Sequence, residues 1–178
     1  EPATSSISYN AKMTLVRPYP ISIEWPPRWL AEVPPGPDCL QRIHARDNIP
    51  DDVRIGVGVD RLDYTKGIVE RFRAIERLLE KHPEWIGQFS FVQIAAPSRS
   101  SLPAYQHFDA EVRAMAERVN IRYGNGRYLP IILKIEHHEP VEVFQYFRAA
   151  ALCLVSSLHD GMNLVAKEYL SARDDEQG

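Results

Sequence analysis

From Val53 onward the chain alternates between two hydrophobic periods, and this alternation limits the fold more than any other feature. Val53-Arg54-Ile55-Gly56-Val57-Gly58-Val59 has the β-branched character of a strand. After a loop over Asp60–Lys66, Ile68, Phe72, Ile75 and Leu79 recur at helical spacing, with charges between them. The pattern then repeats three times. Phe89–Ala95 is a strand, followed by a helix marked by Phe108, Val112, Met115 and Val119. Pro130–Ile135 is a strand, followed by a helix that Pro140 opens and that carries Val143, Phe144 and Phe147. Ala151–Val155 is an apolar run that reads as a buried strand, and Asp160-Gly161 is a turn signal before the last helix, with Asp160 as its expected N-cap. Four strand–helix units in a row predict an α/β fold, a Rossmann-like parallel sheet with helices on both faces. The apolar faces at 68–79, 108–119 and 143–147 are assigned to the core.

The first 52 residues lack this regularity. Residues 1–14 are polar without a clear period, and Leu15–Glu24 alternates weakly around Pro18 and Pro20, as an edge strand or connector does. Residues 25–38 hold five prolines and read as an extended linker with one short helical turn at Arg28–Glu32. Cys39–Asp47 is compatible with a helix. The chain begins with Glu1 and ends at Gly178 just after a helix, which reads as a piece of a longer protein.

Composition narrows the function classes. The 178 residues are 44% hydrophobic and 25% charged, with a formal net charge of −3, so a globular core is expected and a nucleic-acid surface is not. No apolar run reaches the roughly 18 residues of a membrane span. Cys39 and Cys153 lie far apart, and Cys153 in its apolar run is expected as a buried free thiol, which fits a reducing cytoplasm.

The polar residues that follow the strands carry the chemistry. Arg61 and Lys66 flank a loop from a strand end to a helix start near Gly67, where unpaired N–H groups and the helix dipole favour anions. One Arg with its two-toothed grip and one mobile Lys suit a diphosphate, and such a pair stabilises charge on a departing phosphate. On the loop alone, two solvated surface cations fit as well. Arg99, among Ser98, Ser100 and Ser101, follows the next strand and suits a second phosphate, although taken alone an exposed loop Arg fits it better. Glu168, expected about two helical turns past Asp160, suits a ribose diol, and a solvated helix face beside Lys167 is the alternative. No G-x-G-x-x-G or P-loop spacing occurs. His137, His138 and His159 lack metal-ligand spacing, so no metal site is assigned.

Arg61-Leu62-Asp63-Tyr64-Thr65-Lys66-Gly67, together with Asp160-Gly161-Met162-Asn163-Leu164-Val165-Ala166-Lys167-Glu168, resembles the trehalose-6-phosphate synthase family of retaining glycosyltransferases. Pro97-Ser98-Arg99 and Tyr105-Gln106 agree, and the similarity runs from about Tyr19 to the C-terminus. The resemblance implies the C-terminal, donor-binding half of a two-domain GT-B fold. Residues 1–24 would be the end of the acceptor domain and a crossover strand, 25–52 the Pro-rich linker, and 53–178 the donor domain, truncated at its C-terminus. The implied reaction takes glucose from UDP-glucose to glucose 6-phosphate, giving α,α-trehalose 6-phosphate with retention and without metal or other cofactor. Arg61 and Lys66 would bind the diphosphate and stabilise UDP as it leaves. Asp160 and the N–H groups of Gly161, Met162 and Asn163 would hold the glucose hydroxyls. Leu164 and Val165 would approach the diphosphate, Glu168 would take the ribose, and His138 would lie beside the uracil, mainly through its backbone. Arg99 would hold the acceptor phosphate. The resemblance implies neither a nucleic-acid nor a membrane partner and allows a homo-oligomer.

The family's glycine-rich loop and its acceptor-domain His and Asp are absent from this sequence, so the isolated chain is expected to bind donor rather than to turn over. Three alternatives stand beside this reading. One is a relative with another phosphorylated acceptor, such as a glucosylglycerol-phosphate synthase. Another is a non-catalytic regulatory domain. The third, a glycosidase built on Asp160 and Glu168, leaves Arg61 and Lys66 unexplained.

Overall fold

The computed structural model describes residues 5–175. Its first element is a hairpin, β1 (Ser5–Tyr9) and β2 (Lys12–Val16), paired antiparallel from Ser5 opposite Val16 to Tyr9 opposite Lys12. This corrects the aperiodic reading of residues 1–14. The turn is two residues, Asn10 and Ala11, both with positive φ, the geometry that matches the twist of two-residue hairpins. Asn-Gly would have announced it, whereas Ala at the second position hides it. All ten strand residues are exposed, Ile7, Tyr9, Met13 and Leu15 included. The expectations attached to Glu1 and to Gln177-Gly178 fall outside the described residues.

The proline-rich stretch does more than connect. Arg28–Glu32 forms the expected single turn, here a 3-10 turn. α1 (Gly36–Asp47) starts with Pro37 in its first turn and stops at Asn48, which adopts the left-handed conformation that ends helices. Cys39 and Ile43 of α1 are fully buried. Residues 36–47 therefore belong to the packed body, not to an extended linker. Arg148 fastens the stretch from the other side, donating to the carbonyls of Val33 at 2.7 Å, Pro34 at 2.9 Å and Ala172 at 2.8 Å.

The body is the alternation expected from Val53. β3 (Arg54–Arg61), α2 (Ile68–Lys81), β4 (Phe89–Ala96), α3 (Pro103–Tyr123), β5 (Ile131–Lys134), α4 (Pro140–Ala149), β6 (Leu152–Cys153) and α5 (Val165–Ala172) follow in turn. The four strands form one sheet, all neighbours parallel, in the order β5-β4-β3-β6. Period two divides the side chains between the faces. Ile55, Val57, Val92 and Ile94 join α1, α4 and α5 in one core. Phe89, Phe91 and Ala95 join α2 and α3 in the other. On that second face β3 presents Gly56 and Gly58. A Cβ at Gly56 would lie 2.7 Å from the Phe89 ring, so the absent side chains make room for the aromatic rings.

Two elements differ from expectation. The run 151–155 is not a buried strand: only Leu152 and Cys153 pair, with Gly56 and Val57, and at the sheet edge Leu152 stays exposed. Cys153 is a half-buried free thiol and Cys39 a buried one. Asp160 is not a helix N-cap. α5 begins only at Val165, and Leu164 caps it without a side-chain bond. Glu168 consequently sits in the first turn of α5, not two turns in.

β5, the opposite edge, is held by a side chain acting as a strand. Asn120 of α3 donates from Nδ2 to the Ile131 carbonyl at 2.8 Å and accepts from the Ile131 N–H at 2.9 Å. Replacing Asn120 by Ala leaves both backbone groups of the buried Ile131 without this partner. It is expected to cost about 1–2 kcal/mol, and a denaturant titration together with faster amide exchange at Ile131 would report it.

Candidate functional site

The carboxyl ends of β3 and β6 open into two loops that the sequence marks as polar, and the fold joins them. In the first, Asp63 accepts from the backbone N–H of Thr65 at 2.9 Å and from its hydroxyl at 2.8 Å, and so starts the 3-10 turn Tyr64–Lys66. Gly67 closes the turn at φ 65° and releases the chain into α2. The second loop follows β6. Its Leu158 and His159 N–H groups both donate to the Thr65 carbonyl, at 2.8 and 3.2 Å. The Ser156 hydroxyl donates to the Gly67 carbonyl at 3.3 Å. A Cβ at Gly67 would fall 2.3 Å from the Ser156 carbonyl oxygen, so only glycine lets the loops approach this closely.

Beneath them lies a buried cation. Arg71 is 2% exposed, yet it projects from α2 into the face left open by Gly58, whose added Cβ would meet Arg71 Nη1 at 2.4 Å. Its guanidinium donates to Asp60 Oδ2 at 2.8 Å, Gln93 Oε1 at 2.6 Å and the Ser156 hydroxyl at 3.1 Å, and more distantly to the Lys66 carbonyl at 3.4 Å. One side chain thus ties together β3, β4 and both loops. Burial pushes the Asp60 carboxyl up, and Arg71 opposes that rise without cancelling it.

Above this base is a cavity of about 330 Å³. Arg61, Lys66, Asp160, Met162, Asn163, Leu164 and Val165 line it, with Val59, Asp60 and Ala96 completing the wall. Seven of the residues singled out in the sequence therefore share one space, and the N-terminus of α5 opens onto it. Lys66 Nζ lies 2.6 Å from Asp160 Oδ2, and Asn163 Nδ2 donates to the same oxygen at 3.3 Å. The hydrogen bond from Lys66 holds the Asp160 carboxyl below its ordinary value. This engagement with Lys66, across the two loops, occupies the carboxylate that the sequence suggested for a helix cap. Asn163 Oδ1 is buried without a partner and so remains available to a donor.

The other candidates stand outside that lining. Gly161, with Met162, borders a neighbouring cleft whose opposite wall is Pro18–Ile21. Lys167 Nζ ties that strap down through the Ile21 carbonyl at 3.2 Å and the Ser22 hydroxyl at 3.4 Å. Glu168 is half-buried on α5, where burial raises its carboxyl above the ordinary value. His138 is buried, its ring edge-on to Tyr146 at 6.2 Å and its Nε2 3.6 Å from Glu136. The imidazole thus packs inward. Arg99 is exposed on the loop after β4, where Nη1 donates to the Tyr105 hydroxyl at 3.1 Å. Among the described residues, no three His, Cys, Asp or Glu side chains gather as metal ligands, and no helix is long and apolar enough to cross a membrane.

Sequence reasoning passed over Arg71 and attached no role to Asp60 or Tyr105. A signal existed for Arg71: it shares the helical face of Ile68, Phe72 and Ile75 and stands opposite the strand glycine Gly58.

The family model described as glycosyltransferase family 20 matches residues 1–178. An alpha,alpha-trehalose-phosphate synthase [UDP-forming] of Schizosaccharomyces pombe is 34% identical over 174 residues, 98% of this chain and 34% of the relative. A trehalose-6-phosphate synthase of Enterobacter sp. is 42% identical over 88% of this chain and 32% of its own length. Among solved structures, an alpha,alpha-trehalose-phosphate synthase from Burkholderia xenovorans in complex with glucose-6-phosphate superposes with a TM-score of 0.85 at 35% identity, covering 96% of this chain and 37% of that one. The E. coli protein bound with UDP-2-fluoro glucose gives 0.79 at 37% identity, covering 96% and 39%. The chain spans about a third of the length of the curated relatives it matches.

Proposed function

Because this chain belongs to glycosyltransferase family 20, we propose that it supplies the nucleotide-sugar side of a retaining transferase that moves glucose from UDP-glucose to glucose 6-phosphate. The products are α,α-trehalose 6-phosphate and UDP. The observation that carries this reading is the shared cavity, in which Arg61 and Lys66 stand over the open N-terminus of α5. Two cations and a row of free N–H groups form a receptor for a diphosphate. In the relatives named above, glucose 6-phosphate and a UDP-sugar analogue are the ligands, which favours a sugar phosphate over glycerol 3-phosphate as acceptor.

The ion pair between Lys66 and Asp160 gives the reading a sequence of events. An arriving diphosphate competes for Lys66, which then leaves Asp160 and joins Arg61 on the phosphate oxygens. The freed carboxylate of Asp160, with Asn163 beside it, accepts hydroxyls of the donor sugar. As the bond to the anomeric carbon breaks, negative charge grows on the departing phosphate, where the two cations stabilise it more than in the ground state. No metal is assigned a part. Glu168 accepts from the ribose, the backbone at His138 borders the base, and Arg99 holds the acceptor phosphate. We assign the protein to the cytoplasm.

Calorimetric titration of UDP into the chain tests this. Wild type is expected to bind, and an Arg61→Ala, Lys66→Ala double variant to bind about 30-fold more weakly, at about 1 kcal/mol for each partly solvated contact. Binding unchanged in the double variant, or none by the folded wild type, overturns the assignment.

A further inference from the structure

Arg99 holds an unusual posture for an exposed loop residue. Its φ is 47°, in the left-handed region that a side chain with a Cβ seldom enters. Such a conformation costs about 1 kcal/mol or more and persists where neighbours impose it. Two contacts do so: Leu102 donates its N–H to the Arg99 carbonyl at 2.9 Å, and Arg99 Nη1 reaches the Tyr105 hydroxyl. Tyr105 is buried, and its ring meets Tyr64 at a centroid distance of 5.7 Å. Its hydroxyl lies 3.3 Å from Asp63 Oδ2.

The chemistry of these groups orders the chain of bonds. A guanidinium only donates and an ionised carboxylate only accepts, so the phenol must accept from Arg99 and donate to Asp63. Asp63 is itself anchored: its other oxygen holds Thr65, and Arg61 Nη2 stands 4.0 Å from Oδ2. Burial pushes the Asp63 carboxyl up, but the hydrogen bonds from Thr65 and Tyr105 outweigh it and keep the group below its ordinary value.

We infer that Tyr105 is a positioning residue whose hydroxyl couples the acceptor-phosphate arginine, Arg99, to the diphosphate loop Arg61–Lys66 through Asp63. The inference rests on the assignment of Arg99 made above and deepens it. A phosphate on Arg99 pulls charge away from the phenol, which then donates more weakly to Asp63, and the loop that holds the donor responds. Occupancy of one substrate site is thereby reported to the other across three side chains.

The test follows nitrogen-15 resonances of the chain during titration with glucose 6-phosphate, in wild type and in Tyr105→Phe. In wild type the side-chain Nε–Hε of Arg99 and the backbone N–H of Thr65 are expected to shift together. In Tyr105→Phe the Thr65 shift disappears while Arg99 still responds to the ligand. A change confined to packing would not separate the two resonances. If Arg99 responds in wild type while Thr65 is silent, or if Thr65 responds equally in the variant, the coupling is overturned. If Arg99 does not respond in wild type, its assignment to the acceptor phosphate fails, and the inference fails with it. A measurement without ligand stands beside these: the Arg99 side-chain order parameter should drop in Tyr105→Phe, and equal mobility in the two proteins refutes the restraint.

Discussion

Replacing Arg71 by Met is expected to remove about 3–5 kcal/mol of stability, because it strands a buried carboxylate. Asp60 is paired with Arg71 Nη1 at 2.8 Å, and both side chains are almost wholly shielded from water. Met fills much of the volume of the Arg side chain, so the loss isolates the charge. The sign of its pH dependence follows from Asp60. Its carboxyl is already raised in the folded protein by burial, with Arg71 opposing. Removing Arg71 raises it further. A group that binds its proton more tightly when folded favours the folded state as pH falls, and its burial cost is complete only above the folded pKa. The deficit of Arg71→Met relative to wild type should therefore be greatest near pH 7 and shrink toward pH 5. Denaturant titrations of both proteins at the two pH values measure this. Adding Asp60→Asn should restore about half of the loss at pH 7, and a deficit that ignores both pH and the second substitution would show that the ion pair is not its source.

Replacing Gly67 by Ala is expected to cost about 3 kcal/mol, although it adds a single methyl group. Part of that is the left-handed backbone at φ 65°, which alanine resists. The remainder is the approach of Cβ to the Ser156 carbonyl oxygen, a backbone atom that has no rotamer by which to withdraw. Relief requires the two loops to part, which loosens the bonds from Leu158 and His159 to Thr65 and separates Lys66 from Asp160. Thermal unfolding and UDP titration should therefore fall together. Gly126→Ala is the matched control: its added methyl would meet nothing within 4 Å, and its stability should stay near wild type. Equal effects at the two glycines would remove the close approach as the cause.

The elements that packing alone decides were legible in the sequence. The helices over 68–81 and 103–123 and the strands at β3 and β4 repeat their apolar residues at the periods of their structures, and each buries that face. Boundaries failed where a polar side chain had two possible partners. Asp160 beside Gly161 has the local chemistry of a cap, but Lys66, 94 positions away, claims it, and no local rule weighs so distant a partner. The hairpin at 5–16 escaped because its turn uses Ala11 where glycine would be the signal, and because neither face is buried to impose a pattern. In the site, residues were legible wherever a loop motif carried them. The supports were not: Arg71 and Gln93 occupy buried positions among apolar side chains, and Tyr105, though it belongs to a stretch that agrees with the family, carries no sign of its role. A charged residue on the inner face of a helix, facing a glycine on a strand, is the pattern that would have found the first of them.

The carbonyl of Thr65 is a single oxygen with two lone pairs, and both are spoken for by the opposite loop. The orientation of one peptide plane consequently governs two contacts at once. Were that plane to turn, neither Leu158 nor His159 would keep its bond, and the Ser156, Arg71 and Lys66 contacts would be left to hold the loops together. At this point of the cavity wall the two bonds are therefore kept or lost as one.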